Sequence, residues 1–137
     1  MKKVYPVIFT QTNDIVLVEV PDMNILTEGA TIEDAIDMAR DAIGVSGISH
    51  EDNGEEIPPA SDIREIDINK ATFREEGESF ISVVDIDFVE YRRKSDNRTV
   101  RRNVTLPNWL NQEAEKAKIN VSKVLQEALM TKLNVYR

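Results

Sequence analysis

Residues 100–106, VRRNVTL, predict a short β-strand near the C-terminus of this 137-residue chain. Side chains alternate between the two sides of a strand, so its apolar residues can share one face and its polar residues the other. The apolar set is Val100, Val104 and Leu106, and the polar set is Arg101, Asn103 and Thr105. By the same alternation Arg102 lies on the apolar side, where we expect it to turn outward at the margin of the sheet.

Two helices are predicted after this strand. Pro107 fits the start of the first helix, and Trp109 lies beside its apolar face. Asn120 is a good N-cap for the second helix, whose apolar residues recur at helical spacing. The apolar positions are Leu110, Ala114 and Ala117 in the first helix and Val121, Val124, Leu125, Ala128, Leu129 and Leu133 in the second. The predicted module is strand, helix, helix.

This module of about 38 residues is too small to enclose a sufficient core, and domains of that size usually need a metal, a disulfide or a partner chain. The chain has no cysteine and one histidine, so a second copy is the remaining choice. Two copies can pair their strands antiparallel across a two-fold axis, which also satisfies the strand edge. We therefore expect a homodimer, with a core formed by Val104, Leu106, Trp109, Leu110, Val124, Leu125 and Leu129.

The resulting two-stranded ribbon would fit the major groove of DNA. Arg101, Asn103 and Thr105 are predicted to contact bases, since these side chains can bind guanine, adenine and thymine edges. The backbone amides at the start of the last helix are predicted to hold a phosphate. They belong to the region of Asn120, Val121 and Ser122, and Arg102 is predicted to reach the DNA backbone or a carboxylate.

The charge distribution divides the chain in two. Residues 1–90 contain 6 basic and 21 acidic residues, a formal charge of −15, whereas residues 91–137 contain 11 and 4, a charge of +7. Such asymmetry indicates two modules with different partners, of which the second is suited to a polyanion. The basic stretch 91–99 is predicted to be a linker that is either solvated or bound to the DNA backbone. We thus predict domains at 1–90 and 100–137.

The N-terminal part predicts an α+β domain of the order β-β-β-α-β. Its first two strands form a hairpin with the turn at residues 11–14, and a third strand lies near residues 25–28. Thr31 is the predicted N-cap of a helix that Gly44 and Gly47 end. After an acidic, Pro-rich loop at 49–62, alternation predicts extended runs around Ile66 and Ile68 and at 80–89.

Several function classes are disfavoured by the residues present. The opening MKKVYPVIFT has no apolar run of signal-peptide length, and no later run approaches the roughly 18 residues that span a bilayer, so we expect a cytoplasmic protein. No metal or cofactor is predicted. Clustered carboxylates suggest a metal-dependent nuclease as an alternative, but such a negative field would repel nucleic acid. The carboxylates in question belong to Asp14, Glu19, Asp22, Asp85 and Asp87. His50 is predicted to be a solvated loop residue rather than a general base.

Two parts of the sequence resemble known protein families. RRNVTLP at 101–107 with NVSKVLQEAL at 120–129 resembles the ribbon-helix-helix DNA-binding module. The N-terminal part resembles the HicB antitoxin domain. The matching motifs are YPVIF at 5–9, VEVPDM at 18–23, TEGATIEDAIDMARDA at 27–42 and IPPAS at 57–61. Asn24 stands where many members have glycine, and Ala60 where they have a second proline.

The resemblance implies a non-enzymatic antitoxin of a type II HicAB system. Its partial RNase H-like N-terminal domain would mask HicA, a small basic mRNA interferase, and its dimeric C-terminal domain would bind the operator of its own operon. The toxin would bind a sheet edge or the helix at 31–45 with the loop at 51–56. Toxin-binding candidates are Asp37, Asp41, Glu51, Asp52 and Glu55. The alternative is a stand-alone regulator whose N-terminal domain senses a small ligand.

Overall fold

The computed structural model describes residues 2–96 and 98–135. The chain forms two compact units, residues 1–97 and residues 98–137. The described part contains one four-stranded antiparallel sheet and four α-helices, an arrangement of the mixed α and β type. None of the helices in the described residues is long and apolar enough to cross a membrane.

The first unit is built on a sheet of strand order β3-β2-β1-β4. Its strands are β1 (Lys2–Gln11), β2 (Val16–Val20), β3 (Ile25–Gly29) and β4 (Glu78–Asp87). The predicted β1–β2 hairpin is confirmed. Thr12 closes its turn, since its backbone N–H donates to the Ile15 carbonyl over 2.9 Å and its Oγ1 accepts from the Ile15 N–H over 3.0 Å.

Helix α1 (Ile32–Asp52) covers one face of this sheet. The predicted cap is confirmed, because Thr31 Oγ1 accepts from the Asp34 N–H over 3.1 Å. Asp34 in turn accepts from the Ala30 N–H over 2.8 Å. The predicted order β-β-β-α-β is observed in the elements β1, β2, β3, α1 and β4.

The prediction that Gly44 and Gly47 end the helix is wrong, since α1 continues to Asp52. Both glycines are buried and lie directly beneath aromatic rings. A Cβ at Gly44 would lie 2.6 Å from the Tyr91 ring, and one at Gly47 would collide with the Phe88 ring. Because these glycines permit close packing, they do not terminate the helix. The extension also places His50 in α1, where its Nδ1 lies 2.8 Å from the Ser46 carbonyl oxygen.

The core lies between α1 and the inner face of the sheet. Its members alternate along the strands, as expected for a sheet with one face against a helix. Tyr5 and Phe88 meet edge to face with ring centroids 6.3 Å apart. The buried core residues are Tyr5, Val7, Phe9, Val16, Val18, Val20, Met23, Ala35, Ala39, Ile43, Val84, Ile86 and Phe88.

The segment between α1 and β4 is tied to the sheet by side-chain hydrogen bonds. Tyr5 Oη donates to the Pro58 carbonyl over 2.6 Å, and burial raises the pKa of Tyr5 with a further contribution from the charge of Asp22. The Asp22 carboxylate accepts from the Ser61 N–H and Oγ over 2.8 and 2.6 Å.

Asn24 adopts a left-handed φ of 54°, a conformation that asparagine tolerates better than most residues.

The predicted extended run around Ile66 and Ile68 is wrong. This region forms short 3-10 turns at Ile63–Glu65, Ile68–Lys70 and Arg74–Glu76. Asp62 and Asp67 cap the first two by accepting from the backbone N–H two residues later, which competes with strand formation.

Helix α2 (Phe88–Ser95) occupies much of the segment predicted to be a linker, so that prediction is wrong for residues 91–95. Asp87 is its N-cap and accepts from the Glu90 N–H over 3.1 Å. Phe88 is buried in the core, and Arg93 pairs with Glu90 one turn earlier over 3.1 Å. Local capping and one aromatic anchor therefore make a helix where apolar periodicity is weak.

The second unit contains helices α3 (Asn108–Lys116) and α4 (Val121–Leu133). The predicted N-cap of α4 is confirmed, since Asn120 Oδ1 accepts from the Lys123 N–H over 3.1 Å. The predicted strand at 100–106 has no regular secondary structure in this single chain. A strand requires a hydrogen-bonded neighbour, and the expected neighbour is a second copy.

Candidate partner-binding surfaces

The acidic residues predicted to bind a toxin lie mostly in contact with α2. Asp41 accepts a 2.7 Å hydrogen bond from Tyr91 Oη. Glu51 and Asp52 accept from Arg92 Nη2 over 3.3 and 2.9 Å. Burial raises the pKa of Tyr91, and the hydrogen bond to Asp41 raises it further. Three of the five candidates therefore hold the fold of the first unit.

The other two acidic candidates have no such contact with α2. Asp37 lies 3.5 Å from Arg40 in the next turn of α1 and is largely exposed. Glu55 is exposed in the segment after α1. Within the described part of the chain, neither residue forms a hydrogen bond or ion pair with α2.

Arg40 belongs to a second charged cluster, at the end of β4. Its Nη2 lies 3.0 Å from Asp85 Oδ1, and its Nε donates to the Asp85 backbone carbonyl over 3.0 Å. Lys2 Nζ lies 3.0 Å from Asp85 Oδ2. Hydrogen bonds from Lys2 and then Arg40 lower the pKa of Asp85 below its usual value.

Four of the five carboxylates that suggest a nuclease have separate structural roles. Glu19 accepts from the N–H and Oγ1 of Thr72 over 2.9 and 2.8 Å, while Asp22 binds Ser61. Asp87 caps α2 and Asp85 is paired with two cations. Within residues 2–96 and 98–135, no group of three or more acidic or histidine side chains could hold a metal ion. The geometry therefore offers these residues no shared metal.

The residues predicted to contact DNA bases are all exposed in the second unit. Arg101, Arg102, Asn103 and Thr105 form no hydrogen bond or ion pair within the described chain. The Asn120 side chain is committed to capping α4. Val121 and Ser122 follow it in the first turn of α4, where the backbone N–H groups have no intrahelical partners.

The predicted dimer core is uncovered in the single chain. None of the described residues in the range 98–135 is buried, and Trp109 is 67% exposed. The remaining predicted core residues are 36–52% exposed, namely Val104, Leu106, Leu110, Val124, Leu125 and Leu129. An apolar set this exposed is typical of an interaction surface.

Comparison with known proteins gives a family match over most of the chain. The model of the HicB-like antitoxins of bacterial toxin–antitoxin systems matches residues 5–131. No curated protein sequence matches the chain.

Three solved structures resemble the fold. A chain of a toxin–antitoxin complex from Streptococcus pneumoniae is 24% identical, with a TM-score of 0.60, over 96% of this chain and 99% of that one. The antitoxin HicB of Burkholderia pseudomallei is 22% identical, with a TM-score of 0.50, over 96% of each chain. A chain of the HicA3 and HicB3 toxin–antitoxin complex is 25% identical, with a TM-score of 0.51, over 62% of this chain and 99% of that one. With the family match extending across both units, this chain belongs to the HicB-like antitoxins of bacterial toxin–antitoxin systems.

Proposed function

We propose that this chain binds and masks a HicA-type, RNA-cleaving toxin through its first unit and represses its own operon through its second. The family match over residues 5–131 is the observation that carries the proposal. The similar structures include chains of toxin–antitoxin complexes, one of them named for HicA3 and HicB3. In this proposal the first unit is a partial RNase H-like fold and the second a ribbon-helix-helix module.

The negative charge of the first unit supports the proposal that this unit binds the toxin. Residues 1–97 contain 9 basic and 22 acidic residues, a formal charge of −13. A protein that cleaves RNA must hold a polyanion and therefore presents a cationic surface. The first unit would attract that surface electrostatically and compete with RNA for it.

Exposed apolar residues support the assignment of dimerisation to the second unit. The described residues of α3 and α4 leave their apolar side chains half exposed, so a second copy would remove them from water. Pairing of residues 100–106 between two copies would then place Arg101, Asn103 and Thr105 on one face of a ribbon. Such a ribbon fits the major groove.

The first test measures toxin inhibition. The full chain is co-expressed with a HicA-type toxin, and RNA cleavage by the toxin is measured with and without the chain. We expect a stable complex and loss of cleavage. Cleavage that continues at saturating concentrations of the chain would contradict masking.

The second test measures operator recognition with the Asn103→Ala variant. We expect it to lose about 1–3 kcal/mol of binding free energy on DNA from upstream of its own operon, with little change on random duplex. Fluorescence anisotropy at fixed salt checks both. The exposed Lys116→Ala variant in α3 is the control, and equal losses on both duplexes would show that the ribbon is not the reader.

A further inference from the structure

Strand β4 lies at an edge of the sheet. It pairs with β1 through ten consecutive residues, from Glu78 opposite Gln11 to Asp87 opposite Lys2. Its other side has no neighbouring strand among the described residues. An edge of this length presents a row of backbone donors and acceptors to any extended chain that approaches it.

Two observations show which backbone groups point away from β1. Pro6 lies opposite Val83 and has no N–H, so this pair cannot exchange the two hydrogen bonds of a bonded antiparallel pair. Arg40 Nε reaches the Asp85 carbonyl from outside the sheet. Because the direction alternates along the strand, the N–H and C=O groups of Ser79, Ile81 and Val83 also point outward.

The outward groups lie within an uncharged segment, Ser79–Val84, which we call the open edge. Phe80 is 44% exposed on the inner face and Val83 is 48% exposed on the outer face. Natural edges are usually protected by charges, proline, bulges or a covering loop. Here Arg40 and Lys2 cover the Asp85 end, and the turns at Ile63–Glu65 and Ile68–Lys70 contact β4, but no strand among the described residues pairs with the open edge.

Charge selects the kind of chain that can cover this edge. Residues 74–78, at the start of β4, contain three acidic side chains and one basic side chain, Arg74, within a unit of formal charge −13. Edge-to-edge pairing of two such units would bring like charges together, whereas a cationic partner gains attraction. The negative charge therefore favours a basic protein, rather than a second copy of this chain, as the partner that binds the open edge.

We propose that the open edge is the docking site for the toxin, which adds an extended segment to the sheet beside β4. Because this inference rests on the proposed function, the partner is the same RNA-cleaving protein. Main-chain hydrogen bonds would supply binding, and Phe80 and Val83 would contact alternate side chains of the added strand. The acidic residues at the start of β4 would accelerate encounter with the cationic partner.

The test compares two chemically identical substitutions on opposite edges. Val83→Lys places a cation on the open edge, and Leu26→Lys does the same on β3, where Leu26 is 53% exposed. Binding of each full-length variant to a catalytically inactive toxin is measured by calorimetry, and circular dichroism checks that each is folded. We expect Val83→Lys to weaken binding at least about tenfold, and Leu26→Lys to change it less than about twofold.

Backbone hydrogen exchange gives the second readout. We expect the amides of Ile81 and Val83 to exchange more slowly in the toxin complex, because their N–H groups would enter a ladder. Unchanged exchange together with unchanged affinity of Val83→Lys would overturn the edge while leaving the proposed function intact. Protection that grows with concentration of the chain alone would assign the edge to a second copy. A wild-type chain that binds no toxin would overturn both.

Discussion

Ile43 and Leu129 are both aliphatic residues on the apolar face of a helix, yet Ile43 is fully buried and Leu129 is half exposed. Ile43 lies in α1 against a sheet that supplies the facing layer. Leu129 lies in α4, in a unit of about forty residues that has no such layer. Equal helical periodicity thus indicates a face that needs cover, but the length of the module decides whether the same chain can supply it.

Substitutions that create a cavity should cause the largest losses of stability and should distinguish the two units most clearly. We expect Ile43→Ala to lower the free energy of unfolding of the first unit by about 2–4 kcal/mol, independently of protein concentration. If the second unit is a dimer, Leu129→Ala should instead lower a stability that depends on concentration. Hydrogen exchange of β1 amides reports the first unit, and fluorescence of Trp109, the one tryptophan of the chain, reports the second. Concentration-independent unfolding of the second unit would contradict the comparison.

A smaller loss of stability is expected at the contact between α1 and α2. Gly47→Ala places a methyl group against the Phe88 ring, so we expect a loss of about 1–3 kcal/mol from overpacking in the first unit. Urea unfolding followed by β1 amide exchange measures it. Ser49→Ala, on an exposed position of the same helix, should change stability by less than about 0.5 kcal/mol. Equal effects of the two substitutions would show that Phe88 moves aside without cost.

Local features of the first unit could be predicted from the sequence, whereas the contact between α1 and α2 could not. The hairpin, the Thr31 cap and the β-β-β-α-β order follow from local signals and were predictable. Sequence alone predicts that Gly44 and Gly47 end the helix, because glycine commonly follows the last turn of a helix. Here they match Phe88 and Tyr91, which share their spacing of three residues. That shared spacing is the signal that could have revealed the docking of α2.

The docking of α2 also gives a structural role to three residues that are predicted to bind the toxin. The charge of Asp41, Glu51 and Asp52 predicts a toxin-binding role, but it does not reveal their contacts with Tyr91 and Arg92, about forty or more residues later. The open edge was predictable only as one of two alternatives. Its identification needed the strand order and the pairing register, which are properties of the folded sheet.

A modest effect is expected from the ion pairs that join α2 to α1. Arg92→Ala removes partners of Glu51 and Asp52, so we expect the first unit to lose at most about 1 kcal/mol. The loss should shrink at high salt, because partly exposed pairs are screened. Thermal melts at low and high ionic strength measure it, with Lys116→Ala in the second unit as the control. A loss that is independent of salt would indicate that packing of the Arg92 stem dominates.

The smallest loss of stability should come from substitution of Asp85, at the end of β4 that Arg40 and Lys2 cover. Its pKa is lowered in the folded chain by hydrogen bonds from Lys2 and Arg40. A lowered folded pKa contributes stability above the ordinary aspartate pKa, and that contribution is lost as the pH falls through the folded value.

Asp85→Asn should therefore lower the melting temperature at neutral pH, and the difference from wild type should decrease as the carboxyl of the wild type becomes protonated. Melts across the acidic range measure this difference, with Glu78→Gln at the opposite end of β4 as the control. A difference that persists unchanged into strong acid would mean that the Arg40 contact with the backbone carbonyl, rather than the carboxylate charge, protects this end of the strand.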